Sequence, residues 1–287
     1  MKTAWLQLGI LGLTLALSAS ASADEAAVHY NQGLIFKRQG KIDDAVAEMK
    51  QAVAARPTYA AAWFSLGNLY RGQGDFPNAA QAYQKATSLQ PKDADSHANL
   101  GALYIRMKRV EEGIKELETA VALKEDDYDA RVTLGTAYRQ KGDYPKAVIN
   151  LRNATELKPG EAIGWANLGV ALGKTSEKDA AVRALKKALD LDGKNGQTHF
   201  NLAVVYRQQK KVDDAIAEYQ EAVKYDPLQS GAYYDLGLLY SQDRRYDDAL
   251  LAFKKYLATE DKPDPASRQD AEERIKSLES AVNKGKK

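Results

Sequence analysis

The hydrophobic and small residues of this chain recur at a fixed interval of 34 residues along most of its length. One copy of the pattern consists of Trp63, Leu66, Gly67, Tyr70, Ala79, Tyr83, Ala86 and Pro91. A period of this length is typical of stacked modules that each contact only their neighbours. We predict that each module contains two antiparallel helices, A and then B. Seven modules fit without insertion or deletion, at residues 26–59, 60–93, 94–127, 128–161, 162–195, 196–229 and 230–263.

Proline and glycine agree with this register. Pro77 and Pro145 fall in the first turn of a predicted helix B, where a missing N–H group costs little. Glycine is predicted to end helix A at Gly40, Gly74 and Gly142, because it adopts the left-handed conformation of a helix C-terminus cheaply. The equivalent positions of the other four modules are occupied by Lys108, Ser176, Lys210 and Arg244.

The pattern W-x2-L-G-x2-Y…A-x3-F…A…P within 34 residues resembles that of the tetratricopeptide repeat superfamily. The resemblance covers nearly all of the chain after its N-terminal segment. It implies an all-α fold, a right-handed α-solenoid or superhelix, in which helix A lines an inner groove. It implies little about activity, because function resides in sites that a shared fold can carry.

Residues 1–23 are predicted to be an export signal. Lys2 supplies a positive charge, residues 4–17 are largely apolar, and Ala21-Ser22-Ala23 is a cleavage site of the small-x-small type before Asp24. The alternative is an uncleaved membrane anchor, but the apolar run is shorter than the ~20 residues that span a bilayer. We therefore expect cleavage between Ala23 and Asp24, no integral membrane span, and a periplasmic location, with secretion as the second choice.

The last residues, 264–287, are predicted to form a capping helix and a short tail. Ala271, Ile275, Leu278 and Val282 are spaced by four, three and four residues, which gives one apolar helical face. The opposite face is charged, as the exposed end of a stack of repeats requires.

Composition argues against several classes of function. The 41 basic and 39 acidic residues give a net charge of +2, so the overall charge indicates neither a nucleic acid nor an anionic membrane as partner. No cysteine is present, which excludes disulfides and thiolate metal sites. His29, His97 and His199 share the module position of Trp63 and Trp165, so they should pack between helices, too far apart for one metal ion. Because no nucleotide-binding, hydrolase or metalloprotease motif occurs, we expect neither catalysis nor a cofactor.

The resemblance places the candidate binding surface on helix A. An asparagine amide offers both a donor and an acceptor and can hold a peptide unit of an extended ligand. Basic residues at the twelfth and thirteenth module positions would favour carboxylates on that ligand, although a basic stripe is often only a solvated face. The candidate groove residues are Asn31, Arg38, Asn68, Arg71, Asn99, Arg106, Arg139, Asn167, Lys174, Asn201 and Arg207.

These observations favour a non-enzymatic scaffold or adaptor of the bacterial cell envelope that binds an extended, polar-to-acidic segment of another envelope protein. One alternative is self-assembly into a homo-oligomer, because no polar cap precedes the first helix, which carries Val28 and Ile35. Another is a groove for a glycan or a lipid, supported by Phe64, Phe200 and Tyr234 at the fifth module position. Such aromatic residues more often pack between repeats.

Overall fold

A computed structural model describes residues 24–259 and 265–285 of the chain, with side chains as far as residue 282. These residues form fifteen α-helices and no strand, so the expected all-α class is confirmed for the described part of the chain. Helix α1 covers residues 24–38. The following helices are α2 (Ile42–Ala55), α3 (Ala60–Gln73), α4 (Phe76–Leu89), α5 (Ala94–Arg106), α6 (Val110–Leu123), α7 (Tyr128–Lys141), α8 (Tyr144–Leu157), α9 (Ala162–Leu172), α10 (Lys178–Leu191), α11 (Gly196–Gln208), α12 (Val212–Tyr225), α13 (Ser230–Gln242), α14 (Tyr246–Thr259) and α15 (Pro265–Gly285).

The helices form two compact units, and the division between them falls after Ala137, within α7. In the first unit α3 packs against α4, α4 against α5, and α5 against α6. In the second unit each helix from α8 to α14 packs against the one that follows it. Packing between sequence neighbours is what a chain of repeats requires. Helices α3, α5, α7, α9, α11 and α13 begin at the first residue of a predicted module.

Small residues let helices A and B approach closely within a module. A Cβ atom on Gly101 of α5 would lie 2.7 Å from Cγ of Leu117 and 2.9 Å from the carbonyl oxygen of Gly113, both on α6. The space beside such contacts is filled by large, fully buried side chains, among them Tyr83 and Tyr219. The glycine therefore sets the distance between the two helices.

In six of the seven modules, the turn from helix A to helix B contains one residue in the left-handed conformation, which is glycine in three modules and lysine or arginine in the other three. φ is 74°, 79° and 83° at Gly40, Gly74 and Gly142, and it is 62°, 61° and 59° at Lys108, Lys210 and Arg244. A residue with a side chain pays roughly 1–2 kcal/mol for this conformation. Helix packing therefore outweighs the local preference at the three cationic residues.

The fifth module departs from this pattern. Its helix A, α9, ends at Leu172, and Gly173 has a right-handed φ of −60°. Lys178, at the start of α10, donates a hydrogen bond from its ammonium group to the carbonyl oxygen of Gly173. Lys174 consequently lies in the turn between α9 and α10 instead of on a helix.

The C-terminal helix α15 packs against α14, with Ala271 and Leu278 buried. Tyr234 of α13 donates a hydrogen bond to Asp270 of α15 at 2.5 Å. Arg274 lies 2.6 Å from the same carboxylate and, more than the tyrosine, holds the pKa of Asp270 below its usual range. The predicted signal segment, up to and including Ala23, lies outside the described residues, and Asp24 is the first residue described in α1. Among the described helices, none combines the length and the apolar character that crossing a bilayer would need.

Candidate ligand-binding surface on helix A

The basic residues expected to form one line along helix A point in different directions. Arg71 and Arg139, at the twelfth module position, line pockets together with polar residues of the sixth position. Arg106, at the thirteenth position, lies over the ring of Phe76, with its Cζ 4.6 Å from the ring centroid. One residue turns a helical side chain by about 100°, so these two positions do not share a face. Arg106 does not line either pocket, and its part in a binding groove stays a prediction.

Five other candidate groove residues do not line either pocket, namely Asn31, Arg38, Asn68, Lys174 and Arg207. Asn31 and Arg38 are exposed on α1, and Lys174 is exposed in the turn after α9. For Lys174 the reason is the early end of α9, which the 34-residue register did not reveal.

The first-unit pocket is a cavity of about 300 Å³ between α3, α5 and the N-terminal part of α7. Arg71 Nη2 lies 3.5 Å from Oδ1 of Asn68, and that oxygen accepts a hydrogen bond from Tyr83 OH at 2.8 Å. Burial raises the pKa of the Tyr83 hydroxyl, and the neighbouring Arg71 offsets part of the rise. The polar residues that line the cavity are Arg71, Asp95, Asn99, Asp127, Asp129 and Thr133.

Carboxylates outnumber cations in the first-unit pocket. Lys124, beside the cavity, is 3.8 Å from the carboxylates of both Asp95 and Asp127, and such exposed pairs contribute little. Asp129 forms no ion pair with any residue in the described part of the chain. The charge of this pocket therefore favours a cationic group, and the acidic ligand expected from the sequence stays a prediction.

The second-unit pocket is a cavity of about 400 Å³ between α7, α9 and α11. Arg139 comes from α7, and Ile163, Asn167 and Val170 come from α9. Ile163 is 63% exposed and so presents an aliphatic surface to the cavity. The remaining lining residues are Ala162, Ala166, Asp192, Asn195, Gln197, Thr198 and Asn201.

The two pockets are built from equivalent module positions. With the exception of Leu117, each residue that lines the first-unit pocket precedes a lining residue of the second-unit pocket by two modules. Arg71 thus corresponds to Arg139, and Asn99 to Asn167. The three carboxylates of the first pocket, Asp95, Asp127 and Asp129, correspond to Ile163, Asn195 and Gln197. The second pocket contains one carboxylate, Asp192, among its lining residues.

The sixth-position asparagines use part of their hydrogen-bonding capacity within their own helix. Nδ2 of Asn99 donates to the carbonyl oxygen of Asp95 at 2.8 Å, and Nδ2 of Asn167 donates to that of Ile163 at 3.0 Å. Oδ1 of Asn201 accepts a hydrogen bond from Gln197 at 3.2 Å. These contacts hold the amides in fixed orientations beside the cavities, and each amide keeps further donor or acceptor capacity for a ligand.

The third twelfth-position arginine, Arg207, is paired within the protein. Its Nη1 lies 3.0 Å from Oδ1 of Asp235, which occupies the sixth position of the next module. The other oxygen of Asp235 accepts a hydrogen bond from Tyr219 OH at 2.6 Å. Burial, followed by this hydrogen bond, raises the pKa of the Tyr219 hydroxyl far above its usual range. Arg207 is therefore already neutralised by a carboxylate of its own chain.

The histidines serve helix packing. Nδ1 of His97 lies 2.6 Å from the carboxylate of Glu116, and its Nε2 lies 3.2 Å from the carbonyl oxygen of Pro91. His29 and His199 pair in the same way with Glu48 and Glu218, at 2.6 and 2.7 Å. Each glutamate follows its histidine by 19 residues, a regularity that was visible in the sequence and that sequence reasoning missed. Within the described residues no group of three or more His, Cys, Asp or Glu side chains could hold a metal ion.

The fifth-position aromatics also pack within their modules. Phe64 lies 5.8 Å from Tyr83 between ring centroids, and Phe200 lies 5.6 Å from Tyr219. Tyr234 lies 5.7 Å from Phe253. These rings are half-buried, and Phe200 and Tyr234 also line a cavity of about 390 Å³, so the glycan or lipid alternative stays a prediction.

Comparison with known families agrees with this repeat architecture. A model described as tetratricopeptide repeat matches residues 30–94, 166–224 and 200–266, which is more than half of the chain. The chain belongs to the tetratricopeptide repeat family. A second tetratricopeptide repeat model matches residues 70–127, and a TPR repeat model matches residues 135–176. No curated protein matches the chain in sequence.

Solved structures of other tetratricopeptide repeat (TPR) proteins share the fold. A TPR protein from Parabacteroides merdae ATCC 43184 is 18% identical, with a TM-score of 0.64 over 89% of this chain and 99% of that one. YrrB, described as a TPR protein with an unusual peptide-binding site, is 21% identical, with a TM-score of 0.54 over 68% of this chain and 99% of that one. The MamA protein is 25% identical, with a TM-score of 0.56 over 60% of this chain and 93% of that one.

These likenesses confirm the expected α-solenoid class. Membership of the family supports a general role as a scaffold for protein interactions, which is typically non-enzymatic.

Proposed function

We propose that this TPR protein is a non-enzymatic scaffold of the bacterial cell envelope that binds an extended segment of a partner protein along helix A. The observation that carries the proposal is the second-unit pocket. There, side chains of three helices A, namely Arg139 of α7, Asn167 of α9 and Asn201 of α11, line one cavity of about 400 Å³. A peptide segment is a suitable ligand, because its backbone presents both donors and acceptors to such amides.

The aliphatic residues of the same pocket also favour a peptide as the ligand. Ile163 and Val170 lie beside the polar residues, so the cavity offers an apolar contact next to hydrogen-bonding groups. A side chain and its own peptide unit require this combination, whereas a purely polar small molecule does not. The peptide-binding site named for YrrB adds an analogy at the level of the fold.

Photocrosslinking in intact cells tests the proposal. A photoreactive residue at Asn167, or at Asn99 in the first unit, should capture the same partner reproducibly, and mass spectrometry should identify one short segment of it. The matched control is the same residue at Lys255, which is exposed on α14, a helix B, and lies outside the two pockets. Equal capture at all three positions would contradict binding along helix A.

The envelope location rests on the export signal read from residues 1–23. Cell fractionation followed by N-terminal sequencing tests it. A mature chain that begins at Asp24 in the periplasmic fraction is expected, and a full-length cytoplasmic chain would contradict the location.

Self-assembly is the second candidate function. Val28 and Ile35 are seven residues apart on one face of α1, and they are 65% and 44% exposed. If this face joins two copies, sedimentation of the full chain should show a concentration-dependent oligomer. The variants Val28→Asp and Ile35→Asp should then remain monomeric. A wild-type chain that stays monomeric at high concentration would exclude this function.

A further inference from the structure

In the described part of the chain, the Nε donor of Arg139 has no acceptor. Its Nε atom is shielded from solvent and has no hydrogen-bond partner among the described residues. Its guanidinium group also forms no ion pair with the described part of the chain. A shielded guanidinium donor without an acceptor is costly, because the group has lost water and gained nothing in exchange. A ligand that supplies the acceptor would recover this loss.

The equivalent arginines show that the position normally has an acceptor. Arg71 has the Oδ1 atom of Asn68 at 3.5 Å, and Arg207 has the carboxylate of Asp235 at 3.0 Å. Around Arg139 the residues that correspond to Asn68 and Asp235 are Thr136 and Asn167. Neither side chain accepts a hydrogen bond from the Nε atom of Arg139. Arg139 is thus the one of these three arginines with no acceptor in the described residues.

On the basis of the function proposed above, we infer that Arg139 binds a carboxylate of the partner segment, in the place that Asp235 takes beside Arg207. The pairing of Arg207 with Asp235 is an internal example of this arrangement, with the acid supplied by the sixth position of the next module. At the pocket of Arg139 that position is the neutral Asn167, so the acid must come from outside. Arginine and carboxylate groups have matching planar geometry and form charge-assisted hydrogen bonds.

The rest of the pocket restricts the segment that carries the acid. Ile163, Ala166 and Val170 lie on the same side of the cavity and favour an aliphatic residue next to the acidic one. Asp192 lines the same cavity, and one of its oxygens accepts a hydrogen bond from Asn195 at 3.1 Å. A second negative charge on the ligand would be repelled by Asp192. The favoured ligand is therefore a single acidic residue beside an aliphatic one, and a polyacidic run is disfavoured.

Displayed random dodecapeptides provide the probe. Peptides selected on the full chain are synthesised with blocked termini, each as an acidic version and as its Asp→Asn or Glu→Gln counterpart. Fluorescence anisotropy then gives the two affinities. We expect the acidic version to bind about tenfold more tightly, the effect of one charge-assisted hydrogen bond. Free and amidated C-termini distinguish a side-chain carboxylate from a terminal one.

Two variants test the role of Arg139. Arg139→Gln removes the guanidinium group, and Asn167→Asp supplies an internal acid like Asp235. Both should remove the tenfold preference for the acidic version. Lys141→Gln is the matched control, because Lys141 carries the same charge on the same helix and is exposed outside the pocket. It should leave the preference unchanged.

The outcomes separate this inference from the proposed function. If no peptide is enriched, the proposed function fails and the inference fails with it. If peptides bind but acidic and amide versions bind equally, the inference alone is overturned. The same holds if the preference survives in both Arg139→Gln and Asn167→Asp.

Discussion

The first-unit and second-unit pockets occupy equivalent module positions and differ mainly in charge. Arg71 and Arg139 stand at the same position, and so do Asn99 and Asn167. Where the first pocket has Asp95, Asp127 and Asp129, the second has Ile163, Asn195 and Gln197. The repeat therefore determines where a pocket forms, and a few substitutions at its rim determine which charge the pocket accepts.

The helix N-cap residue, Asp127 in the first unit and Asn195 in the second, shows how a change of charge can leave the fold unchanged. Oδ1 of Asp127 accepts a hydrogen bond from the backbone N–H of Ala130 at the start of α7, at 2.9 Å. Oδ1 of Asn195 accepts one from the N–H of Thr198 at the start of α11, also at 2.9 Å. Aspartate and asparagine cap a helix about equally well. The charge of the N-cap residue can therefore change to suit the ligand without loss of the helix cap.

The largest expected effect comes from exchanging the charge of the first-unit pocket. The triple variant Asp95→Ile, Asp127→Asn and Asp129→Gln gives that pocket the residues of the second at these three positions. Removal of three carboxylates should shift the relative affinity for acidic over lysine-containing peptides by on the order of 100-fold at low salt, since an exposed charge pair contributes up to about 1 kcal/mol. Anisotropy titrations in the Arg139→Gln background remove the charge preference of the second pocket, so a change in the ratio there comes from the first pocket. An unchanged ratio would show that these carboxylates do not face the ligand.

A smaller effect is expected from adding a methyl group between the closely packed helices α5 and α6. In Gly101→Ala the new methyl group would meet Leu117 and the backbone oxygen of Gly113, so the first unit should lose roughly 2 kcal/mol. Ala203 already occupies the equivalent position in the second unit, and Ala203→Gly serves as the reverse substitution. Urea denaturation measures both. A neutral Gly101→Ala variant would mean that α5 and α6 are not held at this distance.

The smallest effect concerns the turn after helix A in each unit. Lys108→Gly in the first unit and Lys210→Gly in the second relieve a left-handed lysine, and each should stabilise the chain by about 1 kcal/mol. Gly72→Ala, on an exposed part of α3 where no atom lies near the added methyl group, is a control for glycine in a regular helix. Thermal denaturation of the three variants compares them. Destabilisation by either lysine substitution would contradict the left-handed turn.

The sequence predicted the fold well because the fold repeats. The period and the placement of proline and glycine located the helices, and α3, α5 and α7 begin where the modules were expected to begin. The early end of α9 was not predictable, since it depends on local contacts such as that between Lys178 and Gly173. The left-handed conformation of the lysine and arginine residues in these turns could not be predicted either, because helix packing overrides the conformational preference of the residue itself.

The candidate site was predictable only in part. Seven of the expected residues lie in the two pockets or form contacts beside them, namely Asn68, Arg71, Asn99, Arg139, Asn167, Asn201 and Arg207. The charge of the first pocket was missed, because Asp95 and Asp129 stand at the second module position and Asp127 at the last, which the comparison of groove positions left out. The sequence also does not show which of Arg71, Arg139 and Arg207 is paired within the protein, because pairing depends on side-chain conformation.

The Nε–H resonance of Arg139 tests the central claim most directly. This signal can be assigned by its absence from the ¹⁵N-edited spectrum of Arg139→Gln and followed while a selected acidic peptide is added to the full chain. We predict a downfield shift that saturates with the binding curve and that the amide version of the same peptide does not produce. A peptide that binds at saturation while this resonance stays in place would contradict the account.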